Sequence, residues 1–213
     1  MFGVRNAARK HLGRGNEGDF LAWLRTFLDE HVDFVKRYLI PVFVTYAELV
    51  ADEVAAETGY SAPEEDIRTY VEGYTDSTAR RGIKHTRGEM ERALLKASGG
   101  DSDPLTIVEE RLDHMRDVRA GKVAEKESVG LNNGTARHLY IAAGVVSLRW
   151  MTFGDSCPYC QHMNGRRVGI QDLFIAAGST LHPDGADAPF VPSFNVRYPP
   201  LHKGCDCMVV AGW

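Results

Sequence analysis

The chain has 213 residues, of which 44% are hydrophobic and 25% charged, with a net charge of −4. That length suits one large domain or two small ones, and the composition is that of a folded globular protein with a core that needs no disulfides. The longest uncharged stretch inside the main apolar region, Tyr38 to Ala47, contains Pro41 and is half of what a membrane helix needs, and the slight acidity argues against a protein that coats nucleic acid.

Arg5, Arg9, Lys10, His11 and Arg14 make the start of the chain basic, with no apolar stretch behind them that would read as a secretory signal. This segment has two readings: a frayed, solvated tail, or a contact to DNA or an acidic protein surface. Leu21, Leu24, Leu28, Val35, Val42 and Leu49 then recur at helical spacings, with Asp19 as the expected cap, Gly59 as terminator and Pro41 as a kink or a split. Phe20, Trp23, Phe27, Phe34, Tyr38 and Phe43 spread aromatics well beyond one narrow seam of this helix; most belong in a core, and some are expected at the surface, where proteins dock.

Ser61, Pro63 and Glu64 predict a capping-box start for a second helix, with Ile67, Tyr70, Val71 and Tyr74 as its apolar stripe. Ser98-Gly99-Gly100-Asp101 predicts a break, and Asp103-Pro104 a restart whose buried face is Leu105, Val108, Leu112 and Met115. A further helix is expected from Lys122 to Ala143, ending near Gly144. Beyond it Val145, Val146, Leu148, Trp150 and Phe153 look strand-like, as do Met208, Val209 and Val210.

Composition changes near residue 150. Residues 151–213 hold six of the nine prolines and all four cysteines, but only four of the 25 Lys and Arg and five of the 29 Asp and Glu. The expected fold class is therefore α+β: a mainly helical amino-terminal body, residues 1–120, and a small carboxy-terminal α+β module, residues 121–213. The stretch Ala176 to Asn195, rich in Gly, Pro, Ser and Asp, reads as a long surface loop held at its base by a metal.

The metal expectation comes from Cys157-Pro158-Tyr159-Cys160 and, about 45 residues on, His202-Lys203-Gly204-Cys205-Asp206-Cys207. Pairs of soft ligands on two tight turns suit a tetrahedral structural Zn²⁺ site, with Cys157, Cys160, His202, Cys205 and Cys207 as five candidates for four positions. The spacing leaves open which of His202, Cys205 and Cys207 complete it. Core cysteines, paired disulfides and redox chemistry compete with this reading. Cys-Pro-Tyr-Cys is similar to the glutaredoxin tetrad, but the chain breaks at Met163-Asn164-Gly165 and too little sequence remains for that fold. A zinc deaminase would need Glu two positions after a ligand, and no His here has one.

Glu127, Asn132-Asn133-Gly134, Trp150-Met151-Thr152, Asp155, the Cys157–Cys160 pair, Asn164-Gly165 and the terminal Pro199-Pro200-Leu201-His202 to Cys207 follow one another in an order that resembles the phage Mu F-like minor head proteins, also called phage head morphogenesis proteins. The likeness covers about 90 residues, from Glu127 onward. One departure is Asp206, where the family commonly has Arg. The resemblance implies a non-enzymatic virion component at the portal vertex, needed for head assembly or genome delivery. Its implied partners are the portal protein and other head proteins, with packaged DNA as a further contact. The alternative of another class is a zinc- or thiol-dependent enzyme acting on nucleic acid or disulfides. Among single residues, Asp155 is expected to cap the turn at the site, with orienting a ligand as its other reading, Trp150 to be core, Glu127 to be solvated or salt-bridged, and His162 to be exposed.

Overall fold

The computed structural model describes residues 2–98 and 103–213, and the chain is mainly helical with a small carboxy-terminal sheet, as its α+β reading anticipates. The helices are α1 (Phe2–Leu12), α2 (Glu17–Thr58), α3 (Glu64–Ser98), α4 (Pro104–His114), α5 (Ala120–Ala142) and the short α6 (Pro158–Met163). A π-helical turn, Met115–Arg119, joins α4 to α5 without a break. The strands are β1 (Ser147–Met151), β2 (Arg167–Gly169) and β3 (Met208–Ala211).

Contacts divide the chain into two units: residues 1–41 with 72–121, and residues 42–71 with 122–213. A boundary after residue 120 keeps 122–213 together in the same way, but it would place 42–71 with the other part. α2 runs unbroken through Pro41, where a kink or a split was expected, and the division between units falls immediately after it.

In the first unit Val4, Ala7, Ala8 and Leu12 of α1 pack with Phe20, Leu24 and Leu28 of α2, Met90 and Leu94 of α3, and Val108 and Leu112 of α4. The basic start of the chain is thus a packed helix and not a frayed tail. Its guanidiniums are used locally, Arg5 on Asp113 at 2.6 Å and Arg9 on Glu109 at 2.7 Å. Exposed pairs of this kind contribute about 0.2–1 kcal/mol each, so burial of the small apolar residues carries the attachment.

Several helix ends match the sequence reading. Asp103 accepts from the Thr106 amide at 3.0 Å ahead of Pro104, and Gly59 and Gly144 end α2 and α5 with φ of 75° and 77°. Others differ. The cap of α2 is Asn16, whose Oδ1 accepts from Asp19 N at 3.3 Å, and α3 takes its first bonds on the Pro63 carbonyl, not on Ser61. The expected break at Gly99, Gly100 and Asp101 lies outside the described residues.

The seven-residue line along α2 also fails at its far end: Val42 and Leu49 are exposed, while Val44, Ala47, Val50 and Val54 are buried. A straight helix drifts about 20° per heptad against a strict seven-residue repeat, so three heptads after Leu28 the line has left its original face.

In the second unit the sheet order is β2-β1-β3, all antiparallel, with Leu148 opposite Ala211 and Trp150 opposite Val209. These four side chains alternate inward along their strands and are buried. Phe153 lies outside β1 and is exposed. The Ala176–Asn195 loop is closed at its base by a bridge between Ile175 and Val196, and again midway by Leu181 and Phe190.

Candidate metal centre

β1 delivers the chain to a turn in which the Ser156 hydroxyl donates to the Phe153 carbonyl at 2.8 Å. Cys157 then caps α6 in extended conformation, Pro158 opens the helix, and Cys160 follows one turn later on the same side. Gly165, at φ 76°, returns the chain towards β2 and donates to Trp150 O at 2.8 Å.

The second half is built by the turn at 201–204, in which Gly204 has φ 76° and Cys205 N donates to His202 O at 3.3 Å. Cys205 and Cys207 follow, both buried, with exposed Asp206 between them.

All five sequence-derived candidates come together. Cys157 Sγ lies 3.0 Å and Cys160 Sγ 3.2 Å from His202 Nε2, and Cys160 Sγ lies 3.7 Å from Cys205 Sγ. They form two groups, Cys157–Cys160–His202 and Cys160–Cys205–Cys207, each with ligand atoms within 4.8 Å of one another, and Cys160 belongs to both. This cluster could hold a metal ion. All four cysteines are free thiols, so the paired-disulfide reading does not describe this structure.

Protonation chemistry agrees with a cation site. His202 Nδ1 sits 2.8 Å from the Lys203 carbonyl, an acceptor only, so Nδ1 carries a proton and Nε2 presents its lone pair to the sulfurs. Hydrogen bonds from Cys160 and Cys207 hold the Cys205 thiol down at about 2. Cys160 is pushed up by the same bonds to Cys205 and Cys207 and by burial. For Cys207 the Cys160 contact pulls down, but Cys205 and burial outweigh it and raise the group to about 12. One sulfur takes the negative charge and its neighbours are forced to keep protons, which is the crowding a divalent cation relieves.

The surroundings fix the cluster. Asn133, 1% exposed in the middle of α5, donates to the Cys207 carbonyl at 3.0 Å and accepts from Val209 N at 2.7 Å, gripping the chain on either side of Met208. Its amide nitrogen also donates to Val129 O at 2.9 Å. Next to it, a Cβ on Gly134 would collide with the Tyr70 hydroxyl and stand 3.2 Å from that of Tyr198, so only glycine fits. Trp150 is fully buried, edge-on to Phe174 with ring centroids 5.1 Å apart. Its indole N–H is buried without a hydrogen-bond partner among the described residues, and its nearness to Cys207 weakly opposes the upward shift of that thiol. A bound cation that kept Cys207 as a thiolate would give this donor an acceptor.

Of the other residues singled out from sequence, Trp150 is core and His162 is exposed, as expected. Asp155 is exposed and does not cap α6, a position taken by Cys157. Glu127 is buried at 8% exposure, so of its two readings, solvated or salt-bridged, the solvated one does not hold. The roles of Asn133, Tyr70 and Tyr198 were not read from sequence. The available signal was Asn132-Asn133-Gly134 in mid-helix, where poor helix formers survive only for a packing reason.

A scan against protein-family models and searches of curated proteins and of solved structures gave no match. Among the described residues no helix is long and apolar enough to cross a membrane.

Proposed function

We propose that the chain is a minor head protein of the phage Mu F-like kind, a structural virion component that works at the portal vertex, with its carboxy-terminal module stapled by a Zn²⁺ ion. The observation that carries this reading is the convergence of the family-like residues on one centre. Asn133, Trp150, the Cys157–Cys160 turn and the His202–Cys207 turn are spread over 75 positions, yet each belongs to the Cys/His cluster or interacts with it.

Zinc suits the donors. Bonds of about 2.3 Å to sulfur and 2.0–2.1 Å to nitrogen give tetrahedral edges of about 3.8 Å between sulfurs and about 3.6 Å between sulfur and nitrogen. The 3.7 Å between Cys160 and Cys205 matches the first, and the 3.0 and 3.2 Å to His202 lie about half an ångström inside the second. Four of Cys157, Cys160, His202, Cys205 and Cys207 would hold the ion, which supplies a cross-link between two turns 45 residues apart. With protein ligands filling a four-coordinate ion, the site favours a structural role over catalysis.

Docking on the portal is assigned to the first, helical unit. Along α2 the rings of Phe20, Trp23, Phe27, His31, Phe34 and Tyr38 form a continuous ladder with centroid spacings of 4.7–6.4 Å. It starts fully buried at Phe20 and ends exposed at Phe34 and Tyr38, which are 48% and 61% accessible. Exposed aromatics continuous with a core give a partner rigid contact area at low entropic cost.

The test is a pull-down of the full-length protein against the portal ring encoded beside it, with assembled heads probed for the same chain. Co-elution, weakened by Phe34→Ser with Tyr38→Ser, is expected. A chain that neither binds portal nor occurs in heads would overturn the reading.

A further inference from the structure

Beside the cluster, within the second unit, the surface opens into a groove of about 240 Å³. Phe190, Pro192, Phe194 and Pro200 line it, together with His202 of the cluster. Val191 and Phe194, 52% and 48% accessible, continue the apolar surface outward. Two cations, Lys126 from α5 and Lys203 from the 201–204 turn, flank it, and no lining residue is acidic.

Three features define what fits. The volume takes one or two apolar side chains, so the occupant enters as a chain segment and not as a folded surface. Proline walls resist rearrangement, and the Leu181–Phe190 bridge pins the loop, so the groove exists before binding and ordering costs little. The flanking lysines leave positive potential over an apolar floor, which an acidic segment complements and a basic one does not.

Aromatics and lysines together also serve single-stranded nucleic acid. Here two lysines on a chain of net charge −4 make no cationic track, and the proline-lined walls suit side chains better than stacked bases.

We infer that this groove is a docking site for an extended peptide segment of a partner protein, one with an apolar anchor flanked by Asp or Glu. The inference goes beyond the head-protein reading and does not draw on it.

Fluorescence polarisation with the full-length protein tests it. The probe is a fluorescein-labelled peptide, DDLPFDD, set against KKLPFKK and against labelled oligothymidylate. A Kd of about 100 µM is expected for the acidic peptide, with no measurable binding of the basic one. Lys126→Glu and Phe194→Ser should each weaken it about tenfold or more, while metal content and thermal unfolding stay as in the parent. Both residues are exposed, so each variant should fold, and both lie away from the candidate ligands in sequence. Equal binding of acidic and basic peptides, no binding of the acidic one, indifference to both substitutions, or oligothymidylate binding that depends on the same residues would each overturn the inference.

Discussion

Asn133→Ala should be among the most damaging single changes outside the cluster itself. The side chain makes three hydrogen bonds, to Cys207 O, Val209 N and Val129 O, and is 1% exposed. Truncation leaves the Cys207 carbonyl and the Val209 amide without these partners beneath α5, while Val129 O keeps its place in the helix. Each buried group so orphaned costs about 1–3 kcal/mol, so the loss is about 2–6 kcal/mol, against a total of about 5–15 kcal/mol for a typical domain. Asn133→Asp should be no milder, because it keeps the acceptor for Val209 but sets a carboxylate against the Cys207 carbonyl. Urea unfolding followed by circular dichroism gives the stability change, and hydrogen exchange at the Val209 amide gives its location. An alanine variant within about 0.5 kcal/mol of the parent, with the Val209 amide still protected, would refute the reasoning.

Gly134→Ala should cost about 1–3 kcal/mol by overpacking against Tyr70 and Tyr198, and Tyr70→Phe should restore part of that loss in the double variant, read by chemical denaturation. In the cluster, Cys160→Ser should lower metal affinity more than Cys157→Ser or Cys207→Ser, since Cys160 alone belongs to both ligand groups; competition with a chromophoric chelator measures this. Asp76 is held at about 2, below its ordinary 3.8, by the Arg80 hydrogen bond first and the Lys36 bond second. A depressed carboxyl contributes stability that is fully present above the unfolded pKa and is lost as pH falls from about 4 through 2, so Asp76→Asn should flatten the acid-unfolding profile in that window. Phe34→Ser with Tyr38→Ser should leave stability within about 0.5 kcal/mol, because both rings are already exposed; a larger loss by thermal unfolding would place them in the core.

How much of this was readable from sequence depended on whether a feature is local. Asp103-Pro104, Gly59 and Gly144 announce helix ends through their own backbone chemistry, and the structure uses each that way. The five cluster residues were readable because four cysteines confined to two short turns have few other uses. Non-local features were not. β2 is three residues, two of them Arg167 and Gly169, and is a strand only because β1 offers it partners. α1 buries Ala7 and Ala8, too small to raise a hydrophobic signal, so its basic residues dominated the reading. For Glu127 a solvated and a salt-bridged reading stood side by side, because a sequence shows a charge but not its burial. The line from Leu21 to Leu49 misled at its end because the seven-residue pattern outlived the helix face it began on. Nor does spacing choose among His202, Cys205 and Cys207, since the fold brings all three to Cys160.

The proposed Zn²⁺ ion would tie the 157–160 turn to the 202–207 turn. Structural zinc sites supply about 10–16 kcal/mol of apparent binding energy in small peptides, comparable to the stability of a whole domain. Elemental analysis of protein purified without chelator, paired with hydrogen exchange across 147–211 before and after metal removal, tests that tie most directly. One Zn²⁺ per chain is expected, with protection in β1, α6 and β3 lost on chelation while the helices of the first unit keep theirs. Protein free of metal whose module is equally protected with and without chelator would contradict the account.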